Sequence, residues 1–311
     1  MNPRVEFDLS ILINNIRKLK SETKINFLFP VKCCNHHKVL EIVNNNGFGF
    51  DISNKNEYKI IEKYLDKQFV SVSGPLSYEL NDCNYQNIHI ISNNLSTYKD
   101  GNGLRINFNS SKKFEYSRFG IDYKQIPEDI KNKITYIHFH NSDHRDVKKC
   151  ESIYNEVKTI LKYFPKLEIL NIGGHLEDLS FEEGIKYLKN IRKIVPRYIS
   201  IYAELGDFLF KNVGTLYSNV ADIRYDNKIQ IVTLNFSKMA NQRWAYPQLE
   251  DDGTIQTIFY GCSCCETDTY LEQKTKKLKI GDEVIFKNIS PYSYQWNTSF
   301  NGVDKMIYIL K

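Results

Sequence analysis

Lys32 follows the apolar run Ile25–Val31 (INFLFPV) and precedes the polar stretch CCNHHK. This sets one ammonium at the end of a buried strand. A lysine there is either an expensive structural charge or an amine held as a nucleophile toward a carbonyl. Similar positions recur along the chain: Asp51, Ser73-Gly74, His140-Asn141, Gly173-Gly174 and Glu204 each end an apolar run. A buried lysine grouped with a carboxylate and a histidine suits a Schiff base to a carbonyl cofactor. Gly173-Gly174 offers close backbone N–H groups for a phosphate. Glu204 can keep a pyridine nitrogen protonated, because an adjacent anion favours the charged form. Pyridoxal 5'-phosphate needs those three things. Spacing alone equally describes an aldolase-type Schiff base.

These residues need a scaffold that brings the ends of many strands together. Strands are expected at Ile25–Val31, Gly47–Ile52, Phe69–Ser73, Ile88–Ser92, Leu104–Asn107, Ile134–His140, Ile169–Ile172 and Ile199–Glu204. Helical patterns fall at Ser10–Glu22, with Asp8 or Ser10 placed to cap it, and at Asn56–Leu65, Lys148–Tyr163 and Phe181–Ile194. The alternation predicts an α/β fold, a (β/α)8 TIM-type barrel, whose sites form at the C-terminal strand ends. From about Gly214 the rhythm changes to short strands at Val220–Tyr225, Lys228–Leu234, Ile255–Tyr260, Glu283–Lys287 and Met306–Leu310. The expected organisation is therefore a barrel over 9–213 and a C-terminal all-β domain over 214–311, with residues 1–8 packing on the latter.

The chain has 311 residues and a formal net charge of +5. Its lysines are scattered along polar faces, so nothing argues for nucleic acid. No segment has the length and hydropathy of a membrane span or secretion signal. Seven cysteines without disulfide-like spacing suit a reducing compartment, and a cytoplasmic location is expected.

At this point the chain resembles the fold-type III pyridoxal-phosphate decarboxylases, whose barrel is like that of alanine racemase. PVKCC resembles their lysine motif (Lys32), and FDISNKNE a second-strand motif (Asp51, Glu57). YSRFGI resembles the arginine motif (Arg118), and IHFHN the motif of the histidine that stacks on the pyridine ring (His140). LNIGGH resembles the phosphate loop, and AELGD the motif whose Glu204 meets the ring nitrogen. GCSCCETD resembles the catalytic-cysteine motif (Cys264), and PYSYQWNTSFNG the segment whose Tyr292 reaches the phosphate. HFHN, GLRIN, GCSC and NTSFNG lean toward the carboxynorspermidine and carboxyspermidine decarboxylases. In that branch the residue matching Asp207 resembles a substrate-amine ligand. The resemblance implies an amino-acid decarboxylase in which Cys264 reprotonates the product. It further implies a homodimer with shared sites, each cysteine reaching into the partner's barrel.

The sequence departs from that pattern around the substrate. His175 stands where the phosphate loop has a third glycine. Cys265 replaces a specificity carboxylate, and Arg243-Trp244 stands where a further Asp is usual. Glu266 and Asp268 are either turn residues or amine ligands. Asp51 also reads as a strand-end cap, and Arg243 as a contact for an anionic group. His138 and His140 share a strand face, and His140 is assigned the ring because it matches the motif. The CxCC spacing of Cys262, Cys264 and Cys265 is not that of a zinc site. An amino-acid racemase is the alternative enzyme, but those racemases present an arginine where this chain has Glu204. A non-catalytic regulatory relative is the alternative of a different class.

Overall fold

Asp8 starts the first helix, its Oδ1 accepting the Ser10 backbone N–H at 2.9 Å, and the helix runs from Leu9 to Thr23 (α1). In this computed structural model residues 2–65, 68–82, 87–108, 117–140, 147–244 and 246–311 are described. Among them the chain divides into two units, Ile16–Leu209 and Met1–Asn15 with Phe210–Lys311.

The first unit is a closed barrel of parallel strands. They are β2 (Asn26–Pro30), β3 (Gly49–Ile52), β4 (Val70–Val72), β5 (Ile88–Ser92), β6 (Gly103–Ile106), β7 (Tyr136–Phe139), β8 (Ile169–Asn171) and β9 (Ser200–Glu204). Strand β9 pairs back onto β2, with Leu28 opposite Glu204. The helices between them are α2 (His37–Asn45), α3 (Lys55–Ile61), α4 (Glu128–Lys131), α5 (Val147–Tyr163) and α6 (Phe181–Ile194). A capping box starts α6, with the Ser180 and Glu183 side chains each bonding the other's backbone N–H. Phe69 stacks on His89 at 4.0 Å and on Tyr202 at 4.2 Å, although Tyr202 comes from β9 and Phe69 immediately precedes β4. Rings from strands so far apart around the barrel meet only through its interior, which they fill near the N-terminal strand ends.

The second unit is a sheet in the order β13-β12-β11-β10-β1-β15, with β14 also pairing on β10. Its strands are β1 (Arg4–Phe7), β10 (Gly214–Asp226), β11 (Ile229–Leu234), β12 (Ile255–Tyr260), β13 (Thr269–Thr275), β14 (Glu283–Lys287) and β15 (Ile307–Leu310). A bulge between Val220 and Asp222 marks where β10 changes partner from β14 to β11. Short helices α7 (Lys238–Asn241) and α8 (Tyr292–Trp296) complete it.

Three elements depart from the sequence reading. Helix α2 was not among the helical patterns read from the sequence; His36 Nδ1 caps it by accepting the Lys38 backbone N–H at 3.2 Å. Strand β13 carries Glu272 and Lys274 on its exposed face, which hid its alternation. Tyr292, Tyr294 and Trp296 alternate like a strand face but lie on α8.

Candidate active site

Strand β2 stops at Pro30, and a turn closed by the Cys33 N–H to Pro30 C=O bond (2.9 Å) carries Lys32 beyond it. Lys32 is exposed, so its ammonium stays hydrated at the barrel mouth rather than buried in the strand. Cys33 is buried beneath it, and a Cβ on Gly206 would come within 2.9 Å of the Cys33 Sγ. That close approach seats the β2 turn against the start of the segment carrying Asp207. Burial pushes the Cys33 thiol well up, with the negative fields of Asp207 and then Cys34 and Glu177 adding to it.

Asp51 is the penultimate residue of β3 and is 1% exposed. Its Oδ1 accepts the Ser73 hydroxyl at 2.7 Å, while Oδ2 has no hydrogen-bond partner among the described residues. Burial pushes its carboxyl well above the usual range, the field of Glu204 adds, and Lys32 opposes. Glu204 goes the other way. Burial works against its charge, but contacts from His138 and His140 outweigh burial and hold it well below the usual carboxylate range. Two neighbouring carboxyls are thus driven apart, one toward the neutral form and one toward the anion.

Glu204 is the centre of the network. Its Oε1 accepts the Asn171 amide at 2.9 Å and lies 3.0 Å from His138 Nε2. Its Oε2 lies 3.7 Å from His140 Nδ1. Burial keeps both imidazoles neutral, that of His140 lowered to about 3. His140 Nδ1 also lies 3.3 Å from the Gly174 backbone nitrogen. Arg105, opposite His138 in the sheet register, adds a cation within the field of Glu204 and Asp51.

Gly173 and Gly174 follow β8. Gly173 has φ +64°, and a Cβ on it would meet His140 Nδ1 at 2.7 Å. A Cβ on Gly174 would meet the Glu204 carbonyl oxygen at 2.2 Å, so only glycine lets this loop approach β9. His175 keeps the left-handed backbone of a glycine, with φ +70°. Arg118 is exposed and stacks over Phe119 at 4.8 Å, with Arg105 over the same ring at 4.5 Å. Asp207 opens a short 3-10 turn after β9.

The remaining sequence candidates lie in the second unit. Cys264 is exposed, and its N–H donates to Asn301 Oδ1 at 2.8 Å. Cys264, Cys265 and Glu266 line an open cavity of about 380 Å³ with Asp222 and Arg224. Asp268 is fully buried. It accepts from the Met239 N–H at 3.1 Å and the Ser263 hydroxyl at 2.6 Å. Its carboxylate is therefore committed to shaping the cysteine loop and is not open to a substrate amine. Arg243 is exposed, and its guanidinium lies over Trp244 at 5.0 Å and Trp296 at 4.6 Å. Tyr292 is half-buried and meets Trp244 edge-on at 5.0 Å. Asn141 lies outside the described residues.

Sequence reasoning missed Asn171, Tyr136 and Arg105 and set His138 aside as packing. Each sits inside an apolar run, where alternation reads as core. The available signal was four polar side chains within otherwise apolar strands.

A buried anion facing neutral imidazoles, a glycine turn and an exposed lysine at one barrel mouth suit pyridoxal phosphate. Glu204 matches a ring N–H, and the flat His140, with 28% of its side chain exposed, matches a ring face. Residues 10–67 match the family profile described as pyridoxal-dependent decarboxylase, pyridoxal binding domain. The carboxynorspermidine/carboxyspermidine decarboxylase of Campylobacter jejuni is 25% identical over 297 residues, spanning 79% of this chain and 75% of that protein. The arginine decarboxylase of Paramecium bursaria Chlorella virus, solved with agmatine, superposes with a TM-score of 0.82 at 19% identity. It covers 100% of this chain and 97% of that one. The Campylobacter jejuni carboxynorspermidine decarboxylase solved with norspermidine gives a TM-score of 0.75 at 21% identity, covering 100% and 94%. The fold is that of the fold-type III pyridoxal-phosphate decarboxylases, and the sequence is similar to theirs, which supports a pyridoxal-phosphate-dependent decarboxylase.

Proposed function

We propose that this enzyme decarboxylates an α-amino acid bearing a distal cation, of the carboxynorspermidine or carboxyspermidine type. The observation that carries the reading is Glu204, an anion held inside the barrel by Asn171, His138 and His140 next to the glycine turn. When bound, pyridoxal phosphate supplies an electron sink for the pair left behind as CO₂ departs. Lys32 would hold the cofactor at the mouth through its side-chain amine. Glu204 keeps a proton on the ring nitrogen, because an anion in a dry interior favours the charged partner. His140 offers a neutral ring face for stacking. Gly173, Gly174, Arg118 and Tyr292 serve the phosphate, and Asp51 supports the Lys32 side of the site. Asp207 receives the distal cation of the substrate, and Cys264 returns a proton to the product carbon from its thiol.

Cys264 belongs to the second unit, and the resemblance that motivates its role has it serve the barrel of a partner. The enzyme is accordingly read as a cytoplasmic homodimer with shared sites. Glu266 and Cys265, beside Cys264, are read as specificity residues. The test is CO₂ release with added pyridoxal phosphate from carboxynorspermidine, carboxyspermidine, arginine, ornithine, lysine and meso-diaminopimelate. A carboxypolyamine should be turned over, and Asp207→Asn should raise its KM. Turnover confined to substrates without a distal cation would contradict the reading. Mixing inactive Lys32→Ala and Cys264→Ala proteins should restore activity through hybrid sites; no recovery would contradict shared sites.

A further inference from the structure

We propose that Asn171 is a positioning residue that sets the glycine turn and the Glu204 carboxylate as one unit, through the two ends of a single amide. The inference rests on reading the glycine turn as the phosphate cradle and Glu204 as the ring-nitrogen partner.

Asn171 is the last residue of β8 and is fully buried. Its Oδ1 accepts the Gly173 N–H at 2.9 Å, an Asx-type bond that bends the chain into the turn where Gly173 reaches φ +64°. A backbone N–H can only donate, so this bond fixes which end of the amide is oxygen. The amide nitrogen is thereby aimed the other way. It donates to Glu204 Oε1 at 2.9 Å and lies 3.1 Å from the Tyr136 hydroxyl, which reaches Ser71 Oγ at 3.2 Å. Rotating the amide would break the turn bond and set oxygen against carboxylate at once. The backbone reinforces the link, since the Glu204 N–H donates to the Gly173 carbonyl at 2.9 Å. One side chain therefore supports both the predicted phosphate contact and a donor that Glu204 needs to stay ionised.

Asn171→Asp separates this role from simple space-filling, because the two side chains have the same shape. The new carboxyl can still accept from Gly173, but it can donate to Glu204 only while it carries a proton. The titratable groups facing it are Glu204 on β9, His138 and Tyr136 on β7, with Asp51, His140 and Arg105 in the surrounding field. The experiment is equilibrium binding of pyridoxal phosphate to the cofactor-stripped full-length protein, from mildly acidic to mildly alkaline pH.

Wild-type affinity should change little with pH by comparison. Asn171→Asp should match wild type at the acidic end and lose about tenfold or more toward the alkaline end, where two carboxylates oppose each other. Asn171→Ala should bind weakly throughout; circular dichroism checks its folding, and the isosteric variant keeps the test decisive if it unfolds. A flat, wild-type-like profile for Asn171→Asp overturns the inference alone. So does uniform weakening at every pH, which assigns Asn171 a steric part only. Wild-type protein that binds no cofactor overturns the reading of the whole site instead.

Discussion

His138 Nε2 lies 3.0 Å from Glu204 Oε1, with 1% and 4% of the two side chains exposed. The imidazole is neutral, so it meets the carboxylate through its ring dipole rather than as a cation. The contact joins β7 to β9 across β8, whose Asn171 faces His138 in the register. His138→Phe should keep the volume and remove the polar edge. Stability should fall by about 1–3 kcal/mol in urea denaturation, and pyridoxal-phosphate affinity should drop about tenfold. A variant with unchanged affinity would show that Glu204 needs no help from His138.

Acid should destabilise the cofactor-free protein from the histidine range downward. Burial lowers His138 and His140, the latter to about 3, whereas an unfolded imidazole titrates near ~6.5. Between those values the unfolded chain binds more protons, so stability rises with pH and is lost as pH falls through the window. Glu204, held low, adds loss of the same sign below its unfolded value. Asp51, pushed up, acts oppositely above its own unfolded value, gaining stability as pH falls. The urea midpoint should thus decline on acidification, more steeply in Asp51→Asn and less steeply in His138→Phe. A midpoint independent of pH would contradict the neutral imidazoles.

Asp268→Ala should cost about 1–2 kcal/mol, because it strands the part-buried donors of Ser263 and Met239. The cysteine loop should loosen, and the Cys264 thiol should react faster with a thiol reagent. Unchanged stability would return Asp268 to the pool of substrate ligands.

The barrel was legible because its strands are short apolar runs whose ends carry the ionisable residues, and the observed strand limits fall within a few residues of those runs. Period alone did not separate Asn171 or His138 from the core. In a barrel the buried face is also the face that builds the site, so a polar side chain there carries the same pattern as an isoleucine. The Gly173-Gly174 turn was readable from residue type, and His175 was readable as a departure. Its consequence, a side chain kept at φ +70°, needed the backbone.

That strained position gives a direct expectation. His175→Gly should raise stability by about 0.5–1 kcal/mol by relieving the left-handed conformation, while His175→Ala should not. Thermal denaturation decides it. A glycine variant less stable than wild type would show that the imidazole contributes more than the strain removes.

The central claim is that Lys32 is the cofactor lysine. Purified protein incubated with pyridoxal phosphate, reduced with borohydride and digested should carry the pyridoxyl group on the peptide containing Lys32. Lys32→Ala should lose both the label and the cofactor absorbance band. Labelling on another lysine, or a band that survives in Lys32→Ala, would contradict the account.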